Sequence, residues 1–206
     1  MGIKIRQAKV ADSAFLAQMI LQSSRAGKKD GVFDLLFATN DDATILKRLE
    51  ELTQTTAISH CHYSNFLLAE LDGKPVGTLC SYEPRISNKE TFIKALTEIG
   101  CNDENNALEV MYICSFKLNN RTLIFDFMEE LENFIDVGVL KVLMQKSLLT
   151  ARLKGYTIAQ TMIEIGSLES ELFYKKMGFR VVEQKECALY KEKFGRSGMS
   201  LMSIEF

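Results

Sequence analysis

Three positions in this chain carry residue types that can do chemistry: Asp126, Gly138 and Tyr174. Asp126 is the lone acid in an apolar, aromatic run, Arg121-Thr-Leu-Ile-Phe-Asp-Phe-Met128. On a strand it shares a face with Ile124 and Met128, where partial desolvation raises a carboxyl pKa and poises it to take up a proton near neutral pH. The other reading of the same residue is an acid paired with a neighbouring Lys or Arg, or facing solvent. Gly138 opens a helical stretch after that strand and its loop. Such a turn presents backbone N–H groups, here those of Val137, Gly138, Val139, Leu140 and Lys141, and the positive end of a helix dipole to an anion such as phosphate. The same turn is also a common packing device. Tyr174 stands four residues before Gly178 in Phe173-Tyr-Lys-Lys-Met-Gly-Phe179. A phenol near pKa 10 can give up a proton and regain it from solvent; the other reading is an amphipathic core tyrosine.

The elements that must hold these residues follow from periodicity and stop signals. Arg121–Met128 reads as a strand. Val139–Lys154 reads as a helix, with Leu140, Leu143, Met144, Leu148 and Ala151 on one face and Arg152, Lys154 and Gly155 ending it. A second strand spans Tyr156–Ile165, and a turn at Gly166-Ser167 starts a short helix closed by Gly178. This βαβα unit requires a right-handed crossover and parallel, neighbouring strands. Upstream, Ile3–Gln7 alternates as a strand, and a helix begins near Ala11 with Asp12 or Ser13 as cap. Residues 27–40 are looser but apolar enough, through Val32, Phe33, Leu35, Leu36 and Phe37, to pack over the core. Asp41-Asp42 can cap a helix carrying Ile45, Leu46, Leu49 and Leu52. Asn65–Ser81 is a hairpin around Asp72-Gly73, the dipeptide preferred for a type I′ turn. Helices follow over 88–98 and Asn106–Phe116. After Phe179, Arg180–Lys185 is a strand and Met199–Phe206 alternates as a final edge strand.

Taken in order, Ala151-Arg-Leu-Lys-Gly155 and Tyr174-Lys-Lys-Met-Gly-Phe179 resemble the GNAT superfamily of N-acetyltransferases. Asp30-Gly-Val-Phe-Asp-Leu-Leu36, Cys61-His-Tyr-Ser-Asn-Phe66 and Gly195-Arg-Ser-Gly-Met199 look like one branch of that superfamily, marked by the Cys61-His-Tyr-Ser64 stretch before the second strand. The resemblance covers nearly the whole chain. It implies an α/β GNAT fold over 1–206 as one domain, with a mixed central sheet flanked by helices on both faces. The implied activity is direct acetyl transfer from acetyl-CoA to a primary amine of a small molecule or a protein. The cofactor would lie where the parallel strands splay. The alternative is a GNAT-fold domain with weak or no catalysis, acting as a ligand-sensing or interaction module.

Acetyl transfer to an amine needs the coenzyme held, the ammonium deprotonated and the leaving thiolate protonated. At an amine pKa near 10.4, only about one amine in a thousand is neutral near pH 7, so a base helps. The resemblance assigns that base to Asp126 and the acid at the sulfur to Tyr174. It assigns cofactor contacts to Phe127, Met128 and Glu129 on the strand, to Val137–Lys141 at the helix start, and to Ser167, which stands where the superfamily has Asn. On residue type, the first role of Ser167 is to cap the following helix, with the cofactor contact second. Aligned on Gly155, the superfamily's Arg/Gln falls on Ile135, its first Gly on Gly138 and its last Gly/Ala on Leu140, so one of three signature residues is kept. Residues 126–136 also hold five acids (Asp126, Glu129, Glu130, Glu132, Asp136) and no basic residue. A like charge about 8 Å from a phosphate costs about 2 kcal/mol at an effective dielectric of 20. Weaker phosphate binding than usual is therefore expected, with Lys141 in partial compensation.

Both histidines of the chain lie in His60-Cys61-His62. No acid or second cysteine stands at ligand spacing, so no metal site is expected. His62 and Tyr63, just before a strand, are candidates to line the acceptor pocket. No Ser–His–Asp order or GxSxG elbow supports hydrolase chemistry. A net charge of −2 gives no sign of a nucleic-acid binder. No apolar run approaches the ~20 residues of a membrane span, and the start, Met1-Gly-Ile-Lys-Ile-Arg, carries no secretory signal pattern. Five cysteines, odd in number and scattered, fit reduced thiols in a cytoplasm. Expected partners are acetyl-CoA and an amine acceptor, without nucleic acid or membrane; a homodimer is compatible with the sequence.

Overall fold

A computed structural model describes residues 2–103, 106–119, 121–135 and 137–206. Asp136, one of the five acids counted above, lies outside the described residues. The chain opens with β1 (Lys4–Gln7) and, after a 3-10 turn over Val10–Asp12, α1 (Ser13–Arg25). Asp12 does not cap α1 through its side chain, because its carboxylate is taken by Arg6 in two bonds of 2.8 Å. The looser apolar segment contains α2 (Val32–Leu36), which buries Phe33 and Leu36. α3 (Asp42–Thr53) is capped by Asp41, whose carboxylate accepts from the Thr44 N–H at 3.0 Å. β2 (Phe66–Leu71) and β3 (Lys74–Tyr82) form the hairpin, with φ of +50° at Asp72 and +76° at Gly73, as a type I′ turn demands. α4 (Lys89–Glu98) and α5 (Ala107–Ile113) complete the first half.

The second half runs β4 (Thr122–Glu130), α6 (Val139–Leu153), β5 (Ile158–Glu164), α7 (Leu168–Lys176), β6 (Arg180–Glu186), α8 (Ala188–Phe194) and β7 (Gly198–Glu205). The seven strands of the described residues form one mixed sheet in the order β1-β2-β3-β4-β5-β7-β6, with β4 and β5 parallel. No helix among the described residues is long and apolar enough to cross a membrane.

One expectation needs correction. Met199–Phe206 is not an edge strand: β7 sits between β5 and β6 and pairs with both, and β6 is the edge. Alternation reports which face a strand buries but not which strands flank it, and Ser200, Leu201, Met202 and Ser203 are in fact buried consecutively. Sequence periodicity also does not assign α8, a short helix ended by Gly195 at φ +71°. Where β7 begins, Gly198 runs so close to β6 that a Cβ would lie 1.9 Å from the Lys185 carbonyl oxygen. Gly198→Ala is therefore expected to cost about 2–3 kcal/mol by forcing backbone apart, read as a lowered midpoint in thermal or urea unfolding.

Each face of the sheet carries its own apolar core. Leu16, Ile20, Phe33, Leu49, Phe66, Phe92 and Ile124 belong to the core on the α1 side. The core on the α6 side is built from residues such as Leu79, Leu123, Phe125, Val139, Leu143, Met144, Tyr174 and Phe179. Leu123, Ile124 and Phe125 of β4 thus alternate between the two cores, which decides the face on which each following site residue emerges.

Candidate active site

The site begins where β4 stops following β5. Their parallel pairing runs from Thr122↔Ile158 to Phe125↔Thr161 and ends there. On its other side β4 is bulged: Cys80 pairs with Asp126 but Thr78 pairs with Glu129, so β4 carries one extra residue in this interval. The strain is concentrated at Phe127, whose φ is +41°, a conformation costing on the order of 1–3 kcal/mol for a non-glycine residue. Packing and hydrogen bonds hold it. The Thr78 hydroxyl donates to the Phe127 carbonyl at 3.0 Å, and the Phe127 ring lies 5.8 Å from His60, 6.1 Å from Phe66 and 6.4 Å from Phe33. A bulge bends its strand. The gap between β4 and β5 opens into a cleft of about 1350 Å³, bordered by Asp126, Phe127, Met128, Glu129, Ser167 and Tyr174 among others.

Asp126 and Tyr174 reach this cleft from opposite faces of the sheet. Asp126 lies across from Cys80 on the face of the α1-side core. Burial pushes its carboxyl up from 3.8 to about 6, against a smaller opposing effect of the Phe127 N–H, which donates to Oδ1 at 2.8 Å. No Lys or Arg among the described residues forms an ion pair with it. Tyr174 belongs to the α6-side core. Its ring meets those of Phe173 and Phe179 edge-on at 5.8 and 5.2 Å. Burial pushes its phenol up, with Thr161 opposing and the Asp126 and Glu129 carboxylates adding to the rise, so it is a protonated donor at neutral pH.

The helix start is less well equipped. Gly138 adopts φ +91° as the residue before α6, with no side-chain cap, and helix geometry leaves the N–H groups of Val139, Leu140 and Lys141 without intrahelical acceptors. The Val137 N–H is already spent on the Phe134 carbonyl at 3.1 Å. The cleft wall reaches Glu129 and Ile135 but does not include 137–141. The local negative charge is smaller than a count of acids implies. Burial raises the Glu129 carboxyl to about 7, and Gln22 donates to it at 2.8 Å.

Ser167 borders the cleft but makes no side-chain cap to α7; its ψ of 74° departs from the extended geometry that a capping hydroxyl needs. His62 and Tyr63 do not border the cleft. The His62 Nδ1 is engaged by the Ser64 hydroxyl at 2.7 Å and the Ser64 N–H at 3.2 Å, closing a 3-10 turn. His60 borders it instead. Burial pushes the His60 imidazole down to about 4, and its Nε2 has no hydrogen-bond partner. Sequence alone does not favour His60 over His62, because a spacing of two residues in an aperiodic loop carries no directional signal. Nor does it single out Glu164 at the end of β5. That carboxylate is bound by Lys28, by Tyr190 at 2.8 Å and by Arg196 at 3.6 Å, and it ties α8 to the cleft wall.

Solved structures share this architecture. An N-acetyltransferase from Staphylococcus aureus Mu50 superposes with a TM-score of 0.69 at 14% identity, over 98% of this chain and 100% of that one. A GCN5-related N-acetyltransferase from Kribbella flavida gives 0.62 at 16% identity, over 99% and 98%. A PaiA N-acetyltransferase from Thermoplasma acidophilum, in complex with coenzyme A, gives 0.58 at 14% identity over 100% of both chains. No protein-family model and no curated protein matches the chain. At these identities the likeness establishes the fold: the chain has the mixed α/β fold of the GNAT N-acetyltransferases.

Proposed function

We propose that the chain is an N-acetyltransferase that moves an acetyl group from acetyl-CoA directly to a primary amine. The observation that carries this reading is the bulge at Phe127. It parts β4 from β5 and leaves a proton acceptor, Asp126, and a proton donor, Tyr174, on opposite sides of one cleft. Beyond Phe125, β4 has no β5 partner; the Phe127 N–H and carbonyl are engaged by Asp126 and Thr78, so the stretch through Met128 and Glu129 is the part that suits an extended, amide-bearing arm. The N–H groups at the start of α6 suit its phosphates.

In the transfer, the amine nitrogen attacks the thioester carbonyl, a C–N bond forms and the C–S bond breaks. Asp126 receives the amine proton, directly or through water, and Tyr174 supplies a proton to the departing sulfur. An amine near 10.4 and a carboxyl at about 6 differ enough that full proton transfer before attack would cost about 6 kcal/mol. A neutral amine therefore makes the attack, its ammonium proton already given to water, and Asp126 takes the second N–H proton as the C–N bond forms and the nitrogen becomes acidic.

A second reading, a ligand-sensing or interaction module without catalysis, draws support from the helix start, where Val137 and Ile135 are exposed and Val137 has spent its N–H. Titration with acetyl-CoA in a calorimeter separates the two. We expect saturable binding, weakened about tenfold by Gly138→Val, since a β-branched side chain at positive φ disturbs the turn that aims the donors. No heat and no thermal shift at millimolar acetyl-CoA would remove the transferase reading.

A further inference from the structure

We propose that the amine accepted in this cleft is a small, singly charged amine with an aromatic or apolar body, held by Asp126 and the rings of Tyr82, Tyr112, His60 and Phe127. This assignment rests on the transferase reading and narrows its substrate class.

Asp126 is a carboxylate among rings with no cationic partner among the described residues. Taking an anion out of water without a counter-charge is costly, and the open side of this one is the cleft, so its complement is a cation brought by a ligand. The ring wall fits such a cation. Tyr82 follows Cys80 by two residues on β3 and so shares its face, diagonal to Asp126 across the strand pair. The His60 ring lies 5.9 Å from that of Tyr82 and 5.8 Å from that of Phe127, and Phe33 continues the row 6.4 Å from Phe127. A neutral His60 adds a ring face without adding a competing positive charge. Tyr112 borders the same cleft, near enough to Tyr82 for the two phenols to interact electrostatically. Ring faces attract ammonium groups, and apolar bodies pack on the remainder. One ring of the wall already carries a cation within the chain: the Lys89 ammonium, itself on the cleft border, rests 5.1 Å from the centroid of Tyr112.

A carboxylate beside the amine, as in an amino acid, would place like charges together at Asp126. Of the cations bordering the cleft, Lys28 and Arg196 are committed to Glu164 and Lys89 rests on the Tyr112 ring. Phenethylamine and phenylalanine differ by that one carboxylate, and so provide the test.

Binding of phenethylamine, phenylalanine and spermidine is measured by calorimetry, on the protein alone and with coenzyme A, alongside a separate acetyl-CoA titration. Phenethylamine is expected to bind at least tenfold more tightly than phenylalanine. Tyr112→Leu should weaken phenethylamine binding about 3–10-fold while leaving acetyl-CoA binding unchanged and the protein folded. Equal or tighter binding of phenylalanine or spermidine overturns the proposal, as does a folded Tyr112→Leu protein with unaltered phenethylamine affinity. Acetyl-CoA binding without phenethylamine binding overturns this assignment and leaves the transferase reading standing. Phenethylamine binding without acetyl-CoA binding does the reverse.

Discussion

Asp126→Asn is expected to lower kcat/KM at pH 7 by about 100-fold or more, the ordinary scale of a lost general base, and to change the pH profile. In the wild type, activity should rise with pH as the carboxyl ionises through about 6. The variant should lack that limb and recover only toward pH 10, where the amine loses its proton unaided. The same substitution should stabilise the fold. A carboxyl raised from 3.8 to about 6 binds its proton more tightly when folded. Its stabilising contribution is therefore complete below pH 4 and disappears as pH rises through 6. At pH 7 the ionised, buried group costs on the order of 3 kcal/mol relative to a solvated one, which an isosteric amide largely avoids. A pH–rate series and melting curves at pH 4 and pH 7 check both halves. A wild-type rate profile with unchanged melting would place the base elsewhere, and His60 would be the next residue to test.

Tyr174→Phe is expected to lower kcat about 10–100-fold and to leave the KM for acetyl-CoA nearly unchanged. In the proposed mechanism the missing hydroxyl acts on the leaving sulfur and contributes little to ground-state binding. The effect falls short of the largest acid effects because water can protonate a thiolate. The ring keeps its edge contacts with Phe173 and Phe179 in the variant, so folding should be preserved. Steady-state kinetics with one working acceptor decide the matter. An equal rise in KM and loss of kcat would recast Tyr174 as a packing residue for the coenzyme arm.

Much of this arrangement is legible in the residues. The β4–α6–β5–α7 unit announces itself through apolar periodicity broken by Gly155 and Gly178, and the hairpin through Asp72-Gly73. Asp126 and Tyr174 stand out as polar groups in apolar settings. The bulge that gives them a common cleft is not legible, because Phe127 takes its positive φ from the rings around it and from Thr78. Nothing in its local sequence favours that backbone. Ser167 as a helix cap and His62 as a pocket residue mislead for a related reason. Each residue type often takes that role, but the direction of its side chain is set by turn geometry that residue type does not encode.

The position of β7 has a consequence for how the chain reaches this structure. β5 and β6 have no contact as sheet neighbours until β7 lies between them. A chain emerging from the ribosome can therefore assemble β1 to β5 and still present β5 as an open edge, with β6 unplaced. Such an edge is a template for pairing with another molecule. Completion requires a strand made after β6 to pair with both β5 and β6, closing loops from Glu164 to Met199 and from Glu186 to Gly198. The close passage at Gly198 is the tightest point of that pairing. The β5–β7–β6 half of the sheet is thus the slow and aggregation-exposed part of folding, whereas the β2–β3 hairpin can form from near neighbours in sequence.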